Sequence, residues 1–299
     1  MKESKKAEDL HLGLSGINLN SKTIDFGSGV LLRSTYAHIF STDILAFEKP
    51  KSFGSFHPGP WQAISDKKGI DITAELHVPK EYSHAILPNF LVANTLVSLL
   101  RLWVDPGIAI QVLSPTPIES LKLRAGKDKG GEFAAMLNGQ RDRHVHIGLV
   151  RGDKIIESID WVVKNWENAL DLRASKPELS FAIETFENAQ CIPNTAMMIV
   201  SLWGALEAIF APHKAELVFR VSSQLAAFLE PRGPMRLQKQ RDIVKLYNIR
   251  SAAAHGFPKH ADDDLIQTFE LLRIAIIRMI ERKQVPNKEQ LETLLFSDQ

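Results

Sequence analysis

The chain has a single cysteine, Cys191, so no intramolecular disulfide can form, and the composition fits a reducing compartment. It has no apolar stretch long enough to cross a bilayer. The best candidate, 196–210, is shorter than the ~20 residues a span needs and carries Glu207. Met1 to Asp9 are charged with no apolar run behind them, which argues against a secretory signal or anchor starting there. Charge of one sign is not in excess either. With 36 Lys+Arg against 35 Asp+Glu the net charge is +1, so a surface for a polyanion has to be a local patch. The Gly-Lys-Asp-Lys-Gly-Gly stretch at 126–131 lacks the order of a phosphate loop. There is no Gly-x-Ser-x-Gly elbow, and Cys191 has no evident histidine partner. These absences predict a cytoplasmic protein without membrane contact, cofactor or covalent hydrolase chemistry.

What is present is an ordinary globular composition, 44% hydrophobic and 24% charged over 299 residues, long enough for about two domains. Residues 1–20 are polar and dotted with Gly, Asn and Ser, and are expected to form a flexible lead-in. Period-two patterns follow. Ile24 and Phe26, then Val30 and Leu32 beyond Gly27-Ser28-Gly29, predict a strand pair, and 70–78 predicts a strand wet on one face. Lys49 to Pro60 is a loop, and Asn89 to Trp103 is a helix stopped by Asp105-Pro106-Gly107. Strands are expected at 108–113 and 144–150, then helices at 155–172 and 178–189. Residues 21–190 are therefore expected to form an α+β domain with a sensor or regulatory role.

The pattern then becomes wholly helical, and 191–299 is expected to be an all-α domain. Four helices are predicted, at about 194–210, 214–230, 234–254 and 263–283, with breaks at Gly233-Pro234 and Gly256-Phe257-Pro258. The last carries a stripe of Leu265, Phe269, Leu272, Ile276, Met279 and Ile280 behind an Asp262-Asp263-Asp264 start.

The third of these helices bears the chemistry. Arg236, Lys239, Arg241 and Lys245 give it a basic face that would attract a polyanion such as RNA, the alternative being an ordinary solvated helix face. Near its end Arg250 and His255 stand five positions apart, pairing a permanent cation that can fork onto phosphate oxygens with a proton carrier active near neutral pH. A five-residue step rotates about 140° on a helix, so the two side chains diverge unless the helix loosens or a second subunit completes the site. Glu207 is the lone charge in an apolar helix, so its carboxylate is either paired, with Arg250 and Arg220 as the candidates, or reaches a polar pocket, the alternative being that the helix has one wet edge. His144 and His146 share one face with Asp142 nearby. No cysteine or third histidine supports them, so no metal is expected there.

The segments Leu202–Phe210, Lys214–Ser222 and Leu246–Gly256 together resemble the HEPN superfamily, specifically its Apea-like branch, over roughly residues 193–285. The defining pattern is an arginine, four to six residues, then a histidine, which Arg250 and His255 match. The resemblance implies a four-helix bundle and metal-independent endoribonuclease activity in a homodimer that brings two Arg/His pairs together. By position, His255 would act as general acid or base and Arg250 would stabilise the phosphate, with Ser251, Asn248 and Glu207 supporting. Ser251 fills the place where many active members have a polar residue. A phage-defence or toxin-like effector with a regulatory or antitoxin partner follows as an expectation. The alternative is a non-catalytic nucleotide- or RNA-binding dimerisation module.

Overall fold

The computed structural model describes residues 9–40, 43–55, 57–64, 69–123, 136–137, 143–148, 155–211, 217–256 and 260–297. The chain is mixed α+β, an antiparallel sheet followed by helices. β1 (Leu10–Ser15), β2 (Thr23–Gly27), β3 (Val30–Phe40), β6 (Gly69–Val78), β7 (Ala109–Ser114) and β8 (Met136–Leu137) form one sheet in the order β2-β3-β6-β1-β7-β8. A separate two-stranded ribbon pairs β4 (Asp43–Ala46) with β5 (Trp61–Ile64). The predicted strand pair is the β2–β3 hairpin. Its turn is possible because Gly27, Ser28 and Gly29 all adopt the left-handed region, at φ 88°, 53° and 80°.

Alternation along β6 sends Ala74, Leu76 and Val78 inward with no exposure. They meet α1 (Asn89–Trp103), an apolar helix that also packs on α2 (Ile155–Ser175). The opposite face of β6 was expected to be wet, yet Glu75 there is buried. A short 3₁₀ turn, Ile118–Leu123, packs against that side of the sheet, and the Ile118 N–H donates to Glu75 Oε2 at 2.6 Å.

Polar clamps join the sheet to the helices. The Trp166 indole N–H of α2 donates to the Phe26 carbonyl at 3.0 Å, and Arg101 of α1 pairs with Glu187 of α3 (Pro177–Ala189) at 2.6 Å. Arg273 of α7 (Asp262–Glu281) donates to the Leu102 carbonyl at 3.0 Å. One hydrophobic core runs continuously from Leu12 through Trp166 and Phe186 to Trp203 and Ile280, across the expected boundary at 190/191.

The remaining helices are α4 (Thr195–Phe210), α5 (Leu217–Leu229), α6 (Pro234–Ala254) and α8 (Lys288–Phe296). The predicted helices at 194–210, 234–254 and 263–283 end within about two residues of α4, α6 and α7; the described part of the fourth begins at Leu217. α4 touches α3, α5, α6 and α7, and its Asn194 cap accepts the Met197 N–H at 3.1 Å. Among the described residues no helix is long and apolar enough to cross a membrane.

Three expectations need correction or limits. The segment read as a flexible lead-in contains β1, which lies in the middle of the sheet with Leu12 and Leu14 fully buried. The alternation of Leu10, Leu12 and Leu14 was there, but His11 and Gly13 between them made it look polar, and both are buried only because the sheet closes over them. No strand forms over 143–148, where the His144 N–H instead donates to the Gln190 carbonyl at 2.9 Å. The 126–131 stretch lies outside the described residues.

Leu12→Ala tests the place of β1. A fully buried leucine truncated in a central strand should cost about 2–5 kcal/mol, read as a fall in urea midpoint, whereas a residue in a loose lead-in would shift it by under about 0.5 kcal/mol.

Candidate functional site

α6 has a narrow buried stripe, Ile243, Leu246 and Tyr247, in an otherwise polar helix. At 3.6 residues per turn this stripe continues to Arg250, three positions after Tyr247. The guanidinium is therefore directed into the bundle and needs a counter-charge there. Glu207 of α4 supplies it. Arg250 Nη2 lies 3.0 Å from Glu207 Oε1, with its hydrogen bond directed at Oε2, 3.2 Å away. Oε1 is in ion-pair contact but off the hydrogen-bond line, which is why it has no hydrogen-bond partner of its own. Of the two arginines weighed from sequence, Arg250 is the one that reaches Glu207.

The pair is about four-fifths buried on both sides, with 22% and 19% side-chain exposure. Arg250 also stands over the Tyr247 ring at 5.5 Å, and Tyr247 meets Trp203 edge-on at 5.0 Å. Burial raises the Tyr247 hydroxyl above its ordinary value; the Glu207 charge and a hydrogen bond to it add to this, while Arg250 opposes it. Tyr247 was missed from sequence. Its place three residues before the arginine, on the same stripe, was the available signal.

His255 lies elsewhere. It caps α6 at φ −95°, ψ 12°, its N–H donates to the Ser251 carbonyl at 3.2 Å, and its side chain is exposed. Gly256 follows at φ +79°, the left-handed conformation that ends a helix. Because α6 stays helical up to this cap, the rotation of about 140° from Arg250 holds, and the two side chains do not converge within one chain. The imidazole instead shares a face with Arg241, Lys245 and Asn248, at offsets of 14, 10 and 7 residues. All three are exposed.

The other predicted residues divide. Ser251 is half-buried, one position beyond Arg250. Lys245 pairs with Asp242 at 3.2 Å, a solvent-exposed contact that holds the lysine only weakly. Lys239 is half-buried on the same helix. Arg236 is differently employed: it donates to the Glu230 carbonyl at 2.9 Å and the Leu294 carbonyl at 3.0 Å, tying the end of α5 to α8. Asp142 lies outside the described residues, and His144 and His146 are exposed.

Beside this site the start of α4 and the end of α6 enclose an open groove of about 680 Å³ lined by Ile192, Met197, Val200, Ser201, Ala253 and Ala254 among others. The lining is mainly apolar, with no charged side chain among the described residues. Gly204, one turn further along the same stripe of α4, has nothing within 4 Å of where a Cβ would stand.

No protein-family model, curated protein or solved structure matches the chain.

A double-mutant cycle of Glu207→Gln and Arg250→Met should give a coupling of about 1–2 kcal/mol, between the values typical of exposed and of fully buried pairs. Coupling near zero would show that the two groups are solvated independently.

Proposed function

We propose that this protein is a metal-independent endoribonuclease whose site is completed by a second copy of the chain. The observation that carries this reading is the exposed face of α6, on which Arg241, Lys245 and Asn248 lead toward the imidazole of His255. Cations spaced along one helix face track a phosphate backbone, and the histidine at the end of that track is placed to move protons. Arg250 faces the other way in the same chain, so the cation that meets the phosphate beside His255 comes from the partner subunit. The resemblance to Apea-like HEPN proteins supports the same division of labour.

In this reading one His255 takes the proton of a ribose 2′-hydroxyl as the 2′-oxygen attacks phosphorus. The bond from phosphorus to the 5′-oxygen breaks, and the second imidazole protonates the leaving oxygen. Arg250 stabilises the charge that builds on the phosphoryl oxygens. Glu207 holds the guanidinium through Nη2 while the Tyr247 ring lies beneath it, which positions the cation. The products are a 2′,3′-cyclic phosphate and a 5′-hydroxyl. The apolar α4/α6 groove is the surface on which the two copies meet, and the sheet-bearing half of the chain is the regulatory part. An effector role in phage defence or as a toxin is the biological setting this chemistry suits.

The test uses the full-length protein and a labelled RNA. His255→Ala and Arg250→Ala should each lower cleavage by at least about 100-fold while leaving the far-UV spectrum unchanged. Lys245→Ala should weaken RNA binding uniformly across sequences and lower the salt slope by about one. Unchanged degradation by His255→Ala would remove the catalytic role, and tight binding by a wild type that never cleaves would identify a binding module.

A further inference from the structure

On the far side of the sheet, and independent of Arg250 and His255, lies a cluster with no part in that chemistry. β1 and β6 are the two middle strands, and their register sets His11 opposite His77 and Gly13 opposite Glu75. The two imidazoles stack with centroids 4.4 Å apart and planes 15° apart. Asp9, just before β1, joins them through its own anchoring, because the Lys80 N–H donates to Asp9 Oδ1 at 2.9 Å. One donor atom from each of Asp9, His11 and His77 lies within 4.8 Å of the others.

We propose that Asp9, His11 and His77 bind a divalent transition-metal ion, with Glu75 orienting His11 from behind. Three features support this. Glu75 and His11 are both 4% exposed, and Glu75 Oε1 lies 3.0 Å from His11 Nδ1. The Ile118 N–H holds the other carboxylate oxygen, so Glu75 is fixed and the imidazole tautomer with it. That leaves Nε2 of His11 as the free lone pair. A carboxylate behind a histidine is the arrangement that turns and strengthens a metal-ligating imidazole.

Second, among the described residues His77 has no hydrogen-bond partner that explains its burial. Its Nδ1 is buried and unpartnered, and its Nε2 stands 4.0 Å from Asp9 Oδ1, beyond hydrogen-bond reach. Two ligands on one tetrahedral ion sit about 3.3 Å apart, so closing on a metal requires a contraction of about an ångström, and one imidazole has to rotate out of the stack because near-parallel rings cannot aim both in-plane lone pairs at one ion. Third, the donors span two central strands and the residue that precedes one of them. The ion would thus staple the N-terminal strand that the rest of the sheet is built on.

The donor set decides the class of ion. Two imidazoles and one carboxylate suit zinc or ferrous iron, whereas magnesium and calcium favour all-oxygen shells. Three protein ligands leave a position open, and Asp9, 40% exposed at its side chain, marks the side from which an ion arrives.

Isothermal titration of chelator-stripped full-length protein with Zn²⁺ alone tests the assignment, alongside thermal unfolding with and without the ion. Wild type should take up one Zn²⁺ per chain and unfold at a higher temperature when loaded. Asp9→Asn keeps an acceptor for the Lys80 N–H while removing the charged ligand, and should bind at least about 100-fold more weakly, as should His77→Ala. Glu75→Gln, a positioning change, should weaken binding by about 10–100-fold. Mg²⁺ should not compete. Absence of stoichiometric Zn²⁺ uptake by wild type, or uptake by Asp9→Asn as tight as wild type, would overturn the site. Asp9→Asn alone decides if His77→Ala does not fold. RNA cleavage by the same variants reports separately on the α6 site.

Discussion

The helix α4 is apolar on nearly every side, touches four other helices, and carries one carboxylate. A charge in such a place is tolerable only if another charge reaches it. Glu207 and the buried stripe of α6 together constrain where α6 lies, because that stripe turns Arg250 inward and brings it within about 3 Å of the carboxylate. Tyr247 and Trp203 complete the surroundings, so the contact sets the rotation of α6 about its own axis as well as its distance. Everything else on α6 follows from that rotation.

With Arg250 turned inward, helical geometry places Arg241, Lys245, Asn248 and His255 on another face, in solvent. Arginine and histidine, five positions apart in sequence and paired by resemblance, are separated in space within one chain. In the proposed reading a site using both draws on two chains, and the mainly apolar groove between the start of α4 and the end of α6 is where the second would lie. The burial of the ion pair and the dimeric character of the proposed site are thus two consequences of one helix orientation.

Much of the helical half was legible from the chain because its signals are local. Gly233-Pro234 and Gly256 mark helix ends by backbone conformation, which acts over a few residues. The anomaly of Glu207 was likewise readable from its apolar neighbours. Strand β1 was not legible, because a six-residue strand with a histidine and a glycine looks polar until its neighbours bury it. The basic face was only partly legible. Charge counting treats Arg236 and Lys245 alike, yet Arg236 is tied to two backbone carbonyls and Lys245 is exposed beside Asp242. The Asp9, His11 and His77 cluster was invisible, since its members lie up to 68 positions apart and meet only through the β1–β6 register.

By itself the sequence determined the β2–β3 hairpin, strand β6, the helices α1 to α4, α6 and α7 with most of their ends, the stripe of α7 and the anomaly of a lone Glu207 in an apolar helix. These depend on periodicity and on nearest neighbours along the chain. Only the tertiary structure decided which arginine pairs with Glu207, which cations remain free, and which polar residues of β1 and β6 come together. Those outcomes depend on strand register and helix rotation, which are set by packing among residues far apart in the chain and leave no local trace.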